Sequence, residues 1–165
     1  MKEEHKATAR GFNLPISKKF SVEIASFIRG RNLKVAKKRL EGVLVKKVAV
    51  PMKRYNRDQG HKRGPIAAGR YPINATKAII QLLNSAEMNA LNKGLDVEAL
   101  FVSSIIANKG SGAMRYGRQR GREAKRTHLE IVLEEREIKK NLKKAEKKKK
   151  EEKPAEKKPE GDKKQ

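Results

Sequence analysis

Residues 109–126 (KGSGAMRYGRQRGREAKR) constrain the fold of this chain more than any other segment. They contain seven basic residues, one acidic residue and four glycines. The flanking segments, residues 100–108 (LFVSSIIAN) and 127–135 (THLEIVLEE), have the apolar and β-branched content of strands. Two strands joined by this tip predict a projecting β-hairpin. Because the tip has almost no apolar side chains, it cannot form a core of its own, and we expect a polyanionic partner to order it.

The charge of the whole chain supports a polyanionic partner. It has 42 Lys and Arg against 19 Asp and Glu, a formal net charge of +23 and a pI near 10.4. Such an excess makes the free chain repel itself, and nucleic acid is the leading partner. An anionic membrane surface is the second candidate. Membrane insertion is not expected, because no segment has the ~18 apolar residues that a helical span needs.

Composition also limits the chemistry and location of the protein. The chain has no cysteine, which excludes disulfides, zinc ribbons and thiol nucleophiles. Residues 1–16 lack an apolar core of signal-peptide length, so a cytoplasmic protein is expected. His5, His61 and His128 lie far apart and show no metal-ligand spacing. Residues 109–112 (KGSG) lack the Gly-Lys-Ser/Thr ending of a P-loop. We therefore predict no catalytic residue, metal or cofactor, and a protein that is not an enzyme.

The composition changes near residue 135. Residues 1–135 carry 28 basic and 12 acidic residues, a net charge of +16, and are predicted to form one domain that includes the extended hairpin 100–135. Residues 136–165 carry 14 basic and seven acidic residues in a low-complexity sequence with no large apolar residue after Leu142. Such a tail cannot bury enough surface to offset its chain entropy, which predicts disorder. A solvated helix over residues 134–150 is the alternative.

Three amphipathic helices are predicted within the folded part. The first covers residues 18–29, with Ser17 as N-cap and Gly30 as its stop. The second follows Asn32 as N-cap, and the third follows Asn74 as N-cap and ends at Gly94. The apolar positions, at helical spacing, are Phe20, Ile24, Phe27 and Ile28 in the first helix, Leu33, Ala36, Leu40 and Val43 in the second, and Ala75, Ala78, Ile79, Leu82, Ala86 and Ala90 in the third.

Residues 7–14 (ATARGFNL) are a further strand candidate that joins the base of the hairpin. In the segment 127–135, alternation places Thr127, Leu129, Ile131 and Leu133 on a core face. The predicted fold class is α+β: three helices packed on a small antiparallel three-stranded sheet with a long protruding β-hairpin, followed by a disordered basic C-terminal tail.

A second basic stretch, residues 46–70 (KKVAVPMKRYNRDQGHKRGPIAAGR), lies between the second and third helices. It has eight basic residues and one acidic residue, and its prolines and glycines exclude one regular element. One interpretation is a solvated surface loop; the other is a loop that follows a phosphate backbone. In the second interpretation Tyr55 and His61 stack on or hydrogen-bond to nucleotides. The residues that neutralise phosphates there are Lys53, Arg54, Arg57, Lys62 and Arg63.

Five ordered blocks of the chain resemble a known family. They are SKKFSVEIASFIRG, AVPMKRYNRDQGH, GRYPINATKAIIQLLNSAEMNA, KGLD and KRTHLEIVLEE, within residues 8–135. This order is similar to the universal large-subunit ribosomal protein family numbered twenty-two, in its archaeal and eukaryotic form. The resemblance implies a globular body on large-subunit rRNA and a hairpin that lines the nascent-peptide exit tunnel and supports subunit assembly. The implied partners are large-subunit rRNA, neighbouring large-subunit ribosomal proteins and the nascent polypeptide, on the ribosome.

The resemblance also assigns parts of the hairpin. Its arms match residues 100–108 and 125–135, and its tip matches residues 110–124. The family usually has a Pro-Arg-Ala triplet in the tip, whereas this chain has a shorter segment with GRQR at residues 117–120. The implied tunnel-tip residues are Gly112, Ala113, Met114, Arg115, Tyr116, Gly117 and Arg118.

Arginine and lysine suit rRNA because guanidinium groups bind phosphates in a bidentate manner and stack on unpaired bases. The alternatives are a non-ribosomal, chromatin-like nucleic-acid-binding protein, suggested by the lysine-rich tail, and an RNA-modifying enzyme, for which the chain offers no catalytic constellation. The predicted RNA-binding residues are Lys53, Arg54, Tyr55, Arg57, His61, Lys62, Arg63, Arg70, Lys109, Arg115, Tyr116, Arg118, Arg120, Arg122, Lys125, Arg126 and His128.

Overall fold

The computed structural model describes residues 5–136. In chain order the elements are β1 (Lys6–Leu14), α1 (Lys18–Ile28), α2 (Leu33–Leu44), β2 (Val50–Pro51), β3 (Gly69–Arg70), α3 (Ile73–Asn92), a 3-10 turn (Val97–Ala99), β4 (Leu100–Lys109), a second 3-10 turn (Gly117–Gln119) and β5 (Thr127–Glu135). The strands β1, β5 and β4 form one antiparallel sheet in that order, and β2 pairs with β3. The predicted α+β class, with three helices and a three-stranded sheet, is confirmed.

The prediction of a disordered tail concerns residues that lie, apart from Arg136, outside the described part of the chain. The alternative helix over residues 134–150 is wrong at its start, because Glu134 and Glu135 belong to β5. Pairing with β4 and β1 gives these two residues the backbone hydrogen bonds of a strand. The remainder of that alternative also lies outside the described residues.

Helices α1 and α2 begin and end close to the predicted positions. Ser17 occupies the N-cap of α1, although its hydroxyl makes no capping hydrogen bond, and the helix ends at Ile28. Gly30 then adopts φ 72°, a conformation that glycine reaches without steric cost, and the chain reverses into α2. Asn32 caps α2, since its side chain accepts a hydrogen bond of 3.0 Å from the backbone N–H of Lys34. The predicted inward residues Leu33, Ala36, Leu40 and Val43 are all buried.

Helix α3 starts earlier than the sequence pattern indicates. Asn74 lies inside the helix and Pro72 is the N-cap, so the predicted Asn74 cap is wrong. The carbonyl of Pro72 accepts hydrogen bonds of 3.0 Å from both the backbone N–H and the hydroxyl of Thr76. Proline suits a helix start because its φ is fixed and it has no N–H to satisfy. The buried face is Ala75, Thr76, Ile79, Leu83, Ala86 and Ala90, while Ala78 and Leu82 are half-buried.

Strand β5 is the centre of the sheet and supplies most of its core face. Its buried residues alternate with half-buried ones, as predicted for Thr127, Leu129, Ile131 and Leu133. Ile131 is flanked by Ala9 of β1 and Ile105 of β4. The small alanines of β1 leave room for α3 to pack closely on this face, and α1 packs on β4. The helices and this one sheet face therefore enclose a single core.

The outer edge of β4 is covered by the connection between α1 and α2. Val102 donates to the carbonyl of Arg31 (2.9 Å) and accepts from the N–H of Gly30 (2.8 Å). The guanidinium of Arg29 donates to the carbonyl of Ile105 at 2.9 Å. Covering a sheet edge in this way removes a site for unwanted strand pairing. The hairpin arms are thus fixed to the body at their base, and only the tip extends beyond it.

Candidate nucleic-acid interface

The hairpin tip (residues 110–124) continues the pairing of β4 and β5 without a core of its own. Gly110 donates to the carbonyl of Arg126 (2.9 Å), Ala124 to Ala113 (2.9 Å), and Arg115 to Arg122 (2.8 Å). The 3-10 turn Gly117–Gln119 reverses the chain. Apart from Gly110, Gly112 and Ala124, every residue of the tip is exposed. Backbone pairing therefore shapes the tip, and its side chains remain available to an outside surface.

Gly112 lets the two arms of the tip approach each other. A Cβ atom at this position would lie 2.8 Å from the backbone oxygen of Ala124 and 2.3 Å from Oε1 of Glu123. Real Cβ atoms do not approach a backbone oxygen so closely, so a larger residue would force the arms apart. Glycine at this position therefore allows the two arms to lie close together, in addition to making the backbone flexible.

Four exposed arginines, named here the tip arginines, carry all of the positive charge of the tip. Within the described residues none of them forms a salt bridge, whereas Lys109 lies 3.6 Å from the carboxylate of Glu123. Tyr116 beside them is 95% exposed. Exposed guanidinium groups and an exposed phenol ring together can bind phosphates and stack on bases. The tip arginines are Arg115, Arg118, Arg120 and Arg122.

The basic loop between α2 and α3 is attached to the body by a buried carboxylate. Glu23 of α1 is only 2% exposed. Its Oε1 accepts hydrogen bonds from the backbone N–H groups of Arg54 and Tyr55, both at 2.8 Å, and its Oε2 accepts one from Lys53 at 3.2 Å. Three backbone donors on one carboxylate fix the path of the loop. The side chains of Lys53 and Arg54 are therefore directed by a rigid backbone and remain exposed.

The loop and the hairpin meet at a cavity of about 430 Å³, named here the hairpin-root groove. It is lined by residues 17–19 at the start of α1, by Tyr55, by Lys109 and by residues 123–126. The ring centroid of Tyr55 lies 5.7 Å from Nζ of Lys19. Two basic stretches that are separated in sequence thus contribute to one groove. Its cationic residues are Lys18, Lys19, Lys109, Lys125 and Arg126.

A second cavity, of about 590 Å³, lies along the returning arm of the hairpin. It is lined by Pro15, Arg115, Arg122 and the same residues 123–126. The cationic residues of the arm therefore border both cavities, and the positive surface continues from the root of the hairpin into its tip.

Other predicted site residues lie apart from these cavities. Four of them are exposed on the rest of the loop and line neither cavity: Arg57, His61, Arg63 and Arg70. The Nζ of Lys62 lies 5.7 Å from the ring centroid of Tyr71.

His128 is half-buried on the returning arm. Its Nδ1 accepts a hydrogen bond of 3.1 Å from the backbone N–H of Asn13. The His128 ring meets the exposed Phe12 edge-on, with centroids 5.8 Å apart. Only the Nε2 side of this ring is therefore placed to contact a partner.

Sequence reasoning missed three residues that shape the interface. Glu23 stands between the apolar positions Phe20 and Ile24, and an acidic residue on the buried side of a helix was the available signal. Lys18 and Lys19 line the groove, whereas the sequence pattern indicates only that they begin α1. Nothing in the local pattern indicates that the start of α1 lies beside the hairpin.

The described residues contain no cluster of His, Cys, Asp or Glu that could hold a metal ion. Across the same part of the chain, no helix has the length and apolarity needed to cross a membrane. The pKa of Lys34 is raised by the hydrogen bond that its Nζ donates to Glu98 at 2.8 Å, and by the charge of that carboxylate. This pair lies outside both cavities and links α2 to the 3-10 turn before β4.

A small α+β body that carries a cationic hairpin without a core of its own defines the class: a small basic α+β protein with an extended hairpin. The chain matches the family model described as "Ribosomal protein L22p/L17e" over residues 9–134. It therefore belongs to this family of ribosomal proteins.

Its curated relatives are archaeal large ribosomal subunit proteins uL22. The protein from Nanoarchaeum equitans is 48% identical over 141 residues, which cover 80% of each chain. The protein from Methanoculleus marisnigri is 42% identical over 139 residues, 80% of this chain and 91% of the relative. The protein from Archaeoglobus fulgidus is 41% identical over 141 residues, 81% of this chain and 91% of the relative.

These matches confirm the resemblance read from the five sequence blocks, including its archaeal type. The chain is a ribosomal protein of the large-subunit uL22 family, whose members are structural proteins and not enzymes. The prediction that it is not an enzyme is confirmed on this ground. The chromatin-like alternative is not favoured.

Proposed function

We propose that this protein binds large-subunit rRNA through its hairpin and basic loop, and that the hairpin tip lines the nascent-peptide exit tunnel and supports subunit assembly. The tip arginines carry this proposal, because they project on a hairpin without a core and their guanidinium groups form no salt bridge with any described residue. Exposed, unpaired cations repel each other in the free chain and gain energy when phosphates neutralise them. Family membership supports large-subunit rRNA as the polyanion, since the matched relatives are large-subunit proteins.

The proposed rRNA contacts extend from the tip to the body. They comprise the hairpin-root groove, the loop held by Glu23, and the exposed cations at Arg57, Arg63 and Arg70. On this proposal residues 1–135 form the part that assembles into the subunit, beside neighbouring ribosomal proteins. The charged residues 136–165 form a separate segment.

The first test is sedimentation of cell extract on sucrose gradients at moderate and at high salt. Retention in the large-subunit peak through the high-salt wash is expected for a component embedded in rRNA. A variant with all four tip arginines changed to alanine is expected to fold but to enter subunits poorly. Its affinity for rRNA fragments would depend less on salt, with the slope of log K against log salt smaller by roughly 3.

A matched control removes cations from helix surfaces instead. Lys38 and Lys77 are exposed on α2 and α3, and neither lines the two interface cavities. The double variant Lys38→Ala/Lys77→Ala is compared with Arg118→Ala/Arg120→Ala, which loses the same charge at the tip. Equal incorporation of both double variants would show that only total charge matters and would remove the tip from the proposal.

Contact with the nascent polypeptide has its own test. The chain has no cysteine, so Met114→Cys introduces a unique thiol in the tip, where Met114 is 64% exposed. A thiol-reactive group placed along a stalled nascent chain is expected to crosslink to this position. Ser85→Cys, on the exposed face of α3, serves as the control and should not react. Crosslinking at residue 85 but not at residue 114 would contradict the proposed orientation.

A further inference from the structure

The hairpin-root groove brings together features that proteins use to recognise a single nucleotide. Its lining contains the aromatic ring of Tyr55, four lysines, Arg126 and one carboxylate, that of Glu123, and its volume is about 430 Å³. A cavity of that size is in the range of small-molecule sites. It cannot enclose a base-paired helix. A nucleotide that enters it must therefore be unpaired and turned out of its stack.

Tyr55 provides the stacking surface. Its backbone N–H is held at 2.8 Å by the buried Glu23, so its ring starts from a fixed position. Tyr55 is half-buried, and its ring centroid lies 5.7 Å from Nζ of Lys19 and 5.9 Å from the guanidinium carbon of Arg54. A base that stacks on this ring displaces a flexible lysine side chain, which then remains close enough to pair with the phosphate. Bases of any sequence present a flat face, so this contact is sequence-tolerant.

The lysines of the groove differ in their pairing. Lys109 lies 3.6 Å from Glu123, and the guanidinium of Arg126 donates to the carbonyl of Asn13 at 3.2 Å. Lys19 and Lys125 form no salt bridge with any described residue. Lys18 also lines the groove and forms no salt bridge with any described residue. Of these lysines, Lys19 lies closest to the Tyr55 ring and Lys125 belongs to the hairpin root, so a phosphate between these two would contact both parts of the groove.

From this arrangement we infer that the hairpin-root groove is a binding site for one unpaired nucleotide, with the base stacked on Tyr55 and the phosphate between Lys19 and Lys125. The inference rests on the proposed function, because the nucleotide would belong to the rRNA. It adds that the loop and the hairpin root contact the same nucleotide, so that the RNA would link the loop to the hairpin at the point where the hairpin leaves the body.

The test is an NMR titration of the full chain with adenosine 5′-monophosphate and, separately, with ribose 5-phosphate. Both probes carry the phosphate, and only the first carries a base. Adenosine 5′-monophosphate is expected to shift the ring resonances of Tyr55 and to bind more tightly than ribose 5-phosphate. Equal affinity of the two probes, or unchanged Tyr55 resonances, would overturn the site.

Variants assign the two halves of the site. Tyr55→Leu is expected to reduce the affinity for adenosine 5′-monophosphate by roughly 5- to 150-fold, the worth of one stacked base, without changing that for ribose 5-phosphate. Tyr55→Phe should retain both affinities. Lys125→Gln should weaken both probes, whereas Lys38→Gln, which removes an equal charge outside the groove, should weaken neither. An equal effect of the two lysine changes would reduce the site to general electrostatic attraction and overturn it.

A separate measurement distinguishes this inference from the proposed function. If the wild-type protein sediments with large subunits but Tyr55 does not respond to the base, the groove is not a nucleotide site and the rRNA-binding role stands. If the protein is absent from the large-subunit peak, the proposed function itself fails.

Discussion

Replacing Glu23 with glutamine should destabilise the protein far more than any other change of one carboxylate to its amide. Glu23 is 2% exposed and accepts hydrogen bonds from three consecutive backbone N–H groups of the basic loop. In Glu23→Gln the side-chain oxygen can keep the two bonds at Oε1. The new NH₂ group then faces the backbone N–H of Lys53. Since both groups are donors, the hydrogen bond to Lys53 is lost.

The magnitude follows from these contacts. Losing one charge-assisted hydrogen bond costs about 1.5–3 kcal/mol. The two hydrogen bonds that remain become weaker, because their acceptor is now a neutral amide oxygen instead of a carboxylate. We expect a decrease of about 3 kcal/mol in the free energy of unfolding. With an unfolding entropy of about 2.1 cal/mol/K per residue and ~130 folded residues, this corresponds to a decrease of roughly 11 °C in Tm.

Thermal unfolding followed by circular dichroism measures this change. Hydrogen exchange should locate it, because the amides of residues 53–55 lose their acceptor first. The matched control is Glu41→Gln, on the exposed side of α2, where a surface substitution is expected to stay within about 0.5 kcal/mol. A decrease in Tm for Glu23→Gln no larger than that of the control would refute the role of Glu23 as the anchor of the loop.

Three further predictions test other parts of the structure. Thr127→Val removes a buried hydroxyl that donates to the carbonyl of Ile16 at 2.9 Å; we expect a loss of about 1 kcal/mol in chemical denaturation, and an unchanged midpoint would contradict this. Glu98→Gln should return the pKa of Lys34, which that carboxylate raises, towards its ordinary value of 10.5, and NMR titration of the Lys34 Nζ would measure this change. Because the pKa of Lys34 is higher in the folded than in the unfolded state, the ion pair stabilises the fold at neutral pH. This stabilisation is lost as the pH rises through the folded-state pKa. Deletion of residues 140–165 should leave Tm unchanged, since their composition cannot support a core, and a large decrease in Tm would show that the tail packs on the body.

Much of the fold could be predicted because local pattern was sufficient. The alternation at Leu129, Ile131 and Leu133 correctly predicted where β5 begins and ends and which of its faces is buried. The cap at Asn32 needs contacts only two residues away, with Lys34. The predicted start of α3 was wrong because asparagine is a common N-cap residue, which made Asn74 the expected cap. In the structure Pro72 is the N-cap instead, and the helix begins at Ile73.

The candidate interface was predictable in composition but not in arrangement. Tyr55 and Lys125 were both proposed to contact RNA, yet seventy positions separate them and no periodicity relates them. Only the packing of α1 against the sheet, together with the bonds from Glu23 to the loop, places them in one groove.

The sequence alone determined the three helices, the three-stranded sheet, the charge and the family, but not the short pair β2 and β3. Helical spacing, strand alternation and an arginine- and glycine-rich tip are properties of neighbouring residues, so they can be read without coordinates. The tertiary structure decided which cations act together, because the contacts that join the start of α1, the loop and the root of the hairpin link residues distant in the chain. Such contacts depend on how the whole core packs, which local pattern does not specify.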